Sequence, residues 1–482
     1  MANSFIRKFS GNIGNTATKV GNYTVEANLS TIVLGLTVSN RSSTIAYADI
    51  YLSNANYNSF YLIKNSMIPA GGALIPIGGD QKVVLQTGDS IRVRSSNNSI
   101  KLDAILSGLE QDSTAGRGSE YVRALTFSSN VLVGNAYAHY DTLYDSASDR
   151  VVVGYGSSVG FWPTVIVGEV VDNTVTFGTP VTYDQAEIQS GSIAMDTTNN
   201  KLIAWMQSGY VKVGVIHPGN NSVSFGDPVE FDSGLYIQQA GDIAYDSHNN
   251  RVVVVYEKGL TPADTYAVVG EVSGFNITFG DPVLVQADTD TIYGAKIDYI
   301  PSAQRIAVTY NLDAGYSLNT KIGYVTGNTV IFGNAVVADA GDTYGPRTAV
   351  TSTGALAIAY TDYSAAPYPT KVVAGTVSGN IITFGANIVA VNYEQSYVSM
   401  DYWAGENVLV VTGIDEANLE FSNVAIVNVS GTTLTLDSET RFFGGQIDRR
   451  SSGTSVGGED NFILVYNDYD DSYKTKALLM YY

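Results

Sequence analysis

A three-residue signature that returns about every fifty residues decides most of what this chain can become. It stands at Thr176-Phe177-Gly178, Ser224-Phe225-Gly226, Thr278-Phe279-Gly280 and Thr383-Phe384-Gly385. Ile331-Phe332-Gly333 is a close copy, and Thr126-Phe127-Ser128 and Leu434-Thr435-Leu436 are degenerate ones. Down the column Phe127, Phe177, Phe225, Phe279, Phe332, Phe384, Leu436 the steps are 50, 48, 54, 53, 52 and 52. A second column keeps the same register: "RVVVGY" from Arg150, "KLIAWM" from Lys201, "RVVVVY" from Arg251, "RIAVTY" from Arg305, "ALAIAY" from Ala355, "VLVVTG" from Val408 and "FILVYN" from Phe462. These runs are apolar at consecutive positions, as a strand covered on both faces must be. A shorter strand precedes each, joined by a tight polar turn such as Asp246-Ser247-His248-Asn249-Asn250. A third strand and then the Phe-Gly strand follow, through turns such as Ser378-Gly379-Asn380. Four strands per repeat make a β-propeller blade.

The two ends complete the count. The last repeat, from about Gln446 to "KTKALLMYY", has no Phe-Gly strand, while "ALTFSSNVLVG", Ala124 to Gly134, reads as a fourth strand with no blade before it. Joined, they form a seventh blade and remove the exposed sheet edges of an open array. The expected fold is therefore all-β: an N-terminal β-sandwich followed by a seven-bladed β-propeller closed by a strand from each end. A linear solenoid fits less well, because its caps should be polar and Tyr481-Tyr482 are not.

Composition agrees with this class and excludes others. Forty-eight glycines, 33 tyrosines and a charged fraction of 15% suit short strands and tight turns. With no cysteine, disulfides, thiolate metal sites and cysteine nucleophiles are ruled out. The start "MANSFIRKFSGNIGN" lacks a signal peptide's apolar run, and no stretch nears the roughly 18 apolar residues that span a bilayer. A soluble protein made in a host cytoplasm, without membrane insertion, is expected. The net charge of −20 is uneven: residues 1–110 hold nine Lys/Arg against six Asp/Glu, the remainder 17 against 40. An anionic propeller repels phosphate backbones, so nucleic acid is not an expected partner.

Residues 22–110 show no fifty-residue period and read as about seven short strands separated by turns such as Gly78-Gly79-Asp80 and Thr87-Gly88-Asp89. Three regions are expected: a sandwich at 1–110, a polar linker at 111–123 and the propeller at 124–482. The stretches "MANSFIRKFSGNIG", "VLGLTVSN", "FYLIKNSMIPAGGALIPIGGDQKVVLQTGDSIRV" and "LDAILSGLE" resemble a small module of tailed-bacteriophage virion proteins. That resemblance spans roughly the first 110 residues and carries no catalytic motif. It implies a virion component, a fibre, tail or capsid-decoration protein, docked to other virion proteins through residues 1–110 and present as a homo-oligomer on the particle. The propeller resembles no single family: it lacks a "WD" dipeptide, an in-register Kelch double glycine and the sialidase "S-x-D-x-G-x-T-W" box.

In a propeller, the loops from strand two to strand three, and from strand four to the next blade, emerge on one face. Here that face carries the long, varied loops, such as "GSSVGFWPT", "NLDAGYSLNT", "TDYSAAPYPT" and "NDYDDSYKT". The candidate ligand-binding residues are Trp162, Tyr316, Tyr363, Tyr368, Tyr469 and Tyr473, with Asp313, Asp362 and Asp468. Aromatic faces stack on sugar rings or protein side chains, and carboxylates accept hydroxyl hydrogen bonds, so a host cell-surface glycan or protein is the expected partner. No cofactor or metal is expected, since no segment has the twelve-residue calcium loop and His139, His217 and His248 fall in different blades. Asp242, Lys296, Asp298 and Arg347, on the first strands, could form a channel site for the alternative, a polysaccharide-degrading enzyme. Without nucleophile or phosphate-loop motifs, the expectation is that the protein binds and does not catalyse.

Overall fold

The Phe-Gly signature has a steric cause. In a computed structural model of the chain, Gly270 pairs with Phe279 across two antiparallel strands, and a Cβ on Gly270 would lie 2.7 Å from the phenylalanine ring. The ring therefore lies where only glycine leaves room. Gly168 with Phe177, Gly214 with Phe225, Gly323 with Phe332 and Gly375 with Phe384 repeat the pair. The glycine of the signature faces the next sheet: a Cβ on Gly226 would meet the Phe275 carbonyl oxygen at 2.7 Å, and one on Gly280 would collide with that of Asn328. One tripeptide thus fixes both the strand pairing within a sheet and the approach of its neighbour.

The structure describes residues 4–26, 29–53, 59–78, 82–97, 99–112, 125–158, 160–171, 173–185, 191–206, 209–232, 237–259, 263–289, 294–415, 422–443, 447–456, 461–468, 471–472 and 474–481. It divides into two units, 1–126 with 458–460 and 481–482, and 127–457 with 461–480. The strand Leu102–Asp112 runs two residues into the segment expected to be linker; residues 113–124 lie outside the described residues.

In the first unit two antiparallel sheets share one core. One holds Ser4–Ile13, Leu102–Asp112, Leu29–Asn40 and Ala73–Ile77, with Val83–Leu85 also on Leu29–Asn40. The other holds Thr18–Lys19, Ser90–Ser95, Ala46–Ser53 and Ser59–Ile68. Val33, Leu36, Val38 and Leu106 from the first sheet pack with Ala48, Ile50, Ile91 and Val93 from the second. The edge strand Ser4–Ile13 was not anticipated: Ile6 and Ile13 pack into the core, but Phe5 and Phe9, 78% and 69% exposed, break the inward alternation.

The second unit is a β-propeller in class, built from repeated antiparallel sheets such as Ile237–Asp246, Arg251–Lys258, Ala263–Ser273, Asn276–Phe279. The fourth strand comes in two pieces: Asn276–Phe279 and Val283–Thr289 both pair with Ala263–Ser273. Gly280 and Pro282 separate them, since proline offers no N–H to the ladder.

Second strands face a neighbouring sheet on each side, which explains their unbroken apolar runs. Val252 and Val254 pack with Trp205 and Val213, whereas Val253 and Val255 pack with Ile306 and Val308. In the same way Val151 and Val153 pack with Ile463 and Val465 from near the other end of the chain. There the strand Val131–Asp145 serves two ladders, pairing Val131 with Ala477 and Asp145 with Arg150. Leu479 and Ser128 exchange two hydrogen bonds of 2.8 and 2.9 Å.

Candidate functional site

Four tyrosines form a continuous cluster on the loop side of two neighbouring sheets. Tyr316 lies in the turn between Arg305–Asn311 and Leu318–Thr326, and Tyr344 near the start of Thr343–Val350. Tyr363 and Tyr368 flank the loop between Leu356–Asp362 and Pro369–Ser378. Successive ring centroids are 5.3 Å (Tyr316 to Tyr344), 5.0 Å (Tyr344 to Tyr363) and 4.9 Å (Tyr363 to Tyr368), the last pair stacked. All four side chains are partly exposed.

The cluster is held by its backbone. Tyr316 has φ +50° and Tyr368 φ +55°, left-handed values that a bulky residue rarely adopts and that surrounding contacts must impose. Asn311 supplies some of them, donating from Nδ2 to the Tyr316 carbonyl at 2.9 Å and to Thr343 Oγ1 at 2.7 Å. The Tyr363 amide donates to the Asp342 carbonyl at 2.7 Å.

Acidic residues lie on the same loops and strands. Asp362 is buried and pairs with Lys371 at 2.5 Å. Burial works to raise its pKa, but Lys371 and the Ser364 amide more than offset it, and the net shift is downward. Asp342 has a buried carboxylate oxygen, Oδ1, with no hydrogen-bond partner. Asp339 accepts from the Tyr360 hydroxyl at 2.6 Å, and Asp313 is partly exposed beside Tyr316 in sequence.

The structure thus brings together Tyr316, Tyr363 and Tyr368, with Asp313 in the turn that carries Tyr316 and Asp362 next to Tyr363 in the chain. Tyr344 and Asp342 were missed: the segment holding Tyr344 reads as a buried first strand, although Thr343–Val350 starts at the loop side. Trp162 belongs to a different sheet, in the turn before Pro163–Val171, where its carbonyl accepts from the Ser157 amide at 2.9 Å. Asp468 points inward, buried and paired with Lys476 at 2.7 Å. Tyr469 and Tyr473 lie outside the described residues.

A second constellation sits where first strands face one another at the propeller's centre. Counting back from the last first-strand residue paired to each second strand, Asp141, Asp242 and Lys296 share one level, and Asp298 and Asp401 the next. Ser192 Oγ donates to Asp141 at 2.9 Å or to Asp242 at 2.8 Å, and Lys296 lies 3.9 Å from Asp242. Burial, then Asp242, pushes Asp141 up to about 6. Burial raises Asp298 to about 7, against a hydrogen bond from Thr348 and with Asp242 adding to the rise. Burial raises Asp401 to about 8, against the Tyr402 amide and with Asp141 and Asp298 adding to the rise. Sequence reading found Asp242, Lys296, Asp298 and Arg347 but not Asp141 or Asp401, which occupy the same columns in the more degenerate strands "AHYDTLYD" and "SYVSMDYW".

Among the described residues no cluster of three or more His, Asp or Glu is arranged to hold a metal ion, and no helix is long and apolar enough to cross a membrane.

No protein-family model matches the sequence, and no curated protein matches it. Similarity is found among solved structures. The β-propeller domain of Cps50 (Swd1) from Myceliophteria thermophila aligns with a TM-score of 0.50 at 9% identity, covering 74% of this chain and 100% of that one. A mutant of NanB sialidase from Streptococcus pneumoniae aligns at 0.42, with 10% identity and 99% of both chains covered. A leech intramolecular trans-sialidase aligns at 0.40, with 10% identity over 100% of this chain and 99% of that one. The first likeness establishes the propeller class. The presence of glycan-acting enzymes among the others corrects the expectation of a non-catalytic protein, which is withdrawn; likenesses this loose assign no activity.

Proposed function

We propose that this protein is a bacteriophage virion component whose propeller engages a host-surface glycan through its tyrosine-lined loop face. The observation that carries this reading is the cluster Tyr316, Tyr344, Tyr363 and Tyr368: partly exposed aromatic rings, two of them on strained backbone, near carboxylates that accept hydrogen bonds from hydroxyls. A seven-bladed ring closed by a strand from each end belongs to the same reading. It rests on the pairing of Val131 with Ala477 and on the 2.7 Å hydrogen bond from Ser452 to Thr142, 310 residues apart in sequence. Closure of this kind holds the loop face rigid, the condition for a preformed site.

The first unit, read as a β-sandwich, is the docking module. Its support is an outward apolar row crossing four strands, Phe5 opposite Leu109, Leu109 opposite Ile32 and Ile32 opposite Val84, with Phe9 opposite Ile105 alongside. Phe5, Phe9, Ile105 and Val84 are all exposed, and apolar rows of this kind favour a protein partner.

A second reading, glycan cleavage on the virion, draws on the central carboxyls. A glycosidase needs one protonated and one ionised acid at working pH, and Asp298, pushed up to about 7, with Asp141 pushed up only to about 6, leans toward such a division.

The test is competition for adsorption. Soluble protein should block phage attachment to host cells, and Tyr344→Ala should block it about tenfold less well, the scale of losing one aromatic anchor. Equal blocking by both proteins would remove the tyrosine face from the reading.

A further inference from the structure

The charge around the tyrosine cluster says which sugars it can take. Asp342 and Asp362 adjoin Tyr344 and Tyr363 along the chain, Asp313 shares the turn of Tyr316, Asp339 accepts from Tyr360, and the lysines and arginine on the same strands are already committed. Lys371 is bound to Asp362 at 2.5 Å. Lys321 donates to the Val285 carbonyl at 2.5 Å, and burial lowers its pKa. Arg347 donates from Nη1 to the Pro346 carbonyl at 2.9 Å and has further interactions. An anionic sugar brings a carboxylate or sulfate that needs a cationic or N–H-rich partner once it leaves water. Here it would meet carboxylates instead, among them the partly exposed Asp313 and Asp342. Carboxylates accept hydrogen bonds from a sugar hydroxyl or ammonium group. The propeller region's excess of 40 Asp/Glu over 17 Lys/Arg, counted from residue 111, adds long-range repulsion of the same sign.

We propose that this site selects glycans free of acidic groups: neutral or amino-bearing sugar chains stacked on Tyr344 and Tyr363, with hydroxyl or ammonium donors directed to Asp342 and Asp313. The proposal rests on the reading of the cluster as a glycan site. Sialic acids and uronic acids are excluded by it.

The experiment uses the full chain and four probes in calorimetric titrations: maltohexaose and chitohexaose as uncharged chains, chitosan hexamer as the amino-bearing one, and hexagalacturonate as the acidic one. At least one of the first three should bind ten or more times more tightly than hexagalacturonate. Tyr344→Ala should reduce that binding at least tenfold, while Tyr344→Phe, which keeps the ring, should retain most of it. Asp342→Asn with Asp313→Asn should narrow the gap to hexagalacturonate. Tight hexagalacturonate binding that also depends on Tyr344 would overturn the selectivity and leave the glycan site standing. Binding of no probe, or binding indifferent to Tyr344→Ala in a protein with an unchanged circular dichroism spectrum, would overturn the site and the selectivity together.

Discussion

Arg251 Nε donates to the side-chain oxygen of Asn328, 2.9 Å away in the next sheet. Arg150 reaches Asn221 at 2.6 Å and Arg305 reaches Asn380 at 2.8 Å by the same device, an arginine opening a second strand and an asparagine in the following sheet's outer hairpin. Lys201, at the equivalent place, lies over the Phe275 ring at 4.9 Å. These latches tie sheet to sheet at the outer hairpins.

Removing one latch should therefore cost stability without touching the loop face. Arg251→Ala is expected to lower unfolding free energy by about 1–3 kcal/mol, the range for a hydrogen bond to a charged group. Asn328→Ala should cost less, since Arg251 also donates to the Gly327 and Asn250 carbonyls and to Glu271, and the double variant should lose less than the sum, because the two residues share one hydrogen bond. Additive losses in urea denaturation would show that the two residues act separately.

Substituting the signature glycine tests the close approach of neighbouring sheets. A Cβ at position 280 would collide with the Asn328 carbonyl, which as backbone cannot swing aside. Gly280→Ala should cost about 1–3 kcal/mol or prevent folding, whereas Gly379→Ala, with nothing within 4 Å of its Cβ, should cost only the strain of φ +60°. Equal losses at both positions would contradict the packing account.

The central carboxyls set a pH dependence whose sign follows from their direction of shift. Asp141, Asp298 and Asp401 are raised to about 6, 7 and 8, so the folded state holds protons that the unfolded chain, with ordinary values near 3.8, has released. Their contribution is full below about pH 4 and is lost as pH rises through 6 to 8. Asp362, lowered in the folded state, works the other way at the acid end. The melting temperature should fall between about pH 4 and 8, and Asp401→Asn should flatten that fall. A melting temperature that rises over this interval would refute the assignment.

Docking should depend on the outward phenylalanines. Phe5→Asp with Phe9→Asp places charge on the exposed row without disturbing the core of the first unit. The pair is expected to reduce incorporation into particles at least tenfold, measured by quantitative mass spectrometry of purified virions, with melting unchanged. Normal incorporation would move docking elsewhere.

The propeller class could be read from sequence because the repeat is steric: Phe279 needs Gly270 beneath it, and Gly280 must admit the next hairpin, so the tripeptide survives where surrounding residues vary. The loop side was legible through its long loops, which gave Tyr316, Tyr363 and Tyr368. Tyr344 escaped because it sits within a strand, and Asp141 and Asp401 because first strands alternate weakly and their columns emerge only once second-strand pairings fix the register. Ser4–Ile13 escaped because the exposed Phe5 and Phe9 mask the inward spacing of Ile6 and Ile13.

The central claim is that the tyrosine cluster engages a host-surface glycan, and equilibrium binding of the full chain to purified host envelope polysaccharide tests it most directly. Wild-type protein should bind, Tyr344→Ala and Tyr363→Ala should each weaken binding about tenfold or more, and the double variant should lose less than the product of the two, because the rings touch at 5.0 Å. Polysaccharide binding of undiminished affinity in the double variant, with the fold intact, would contradict the claim.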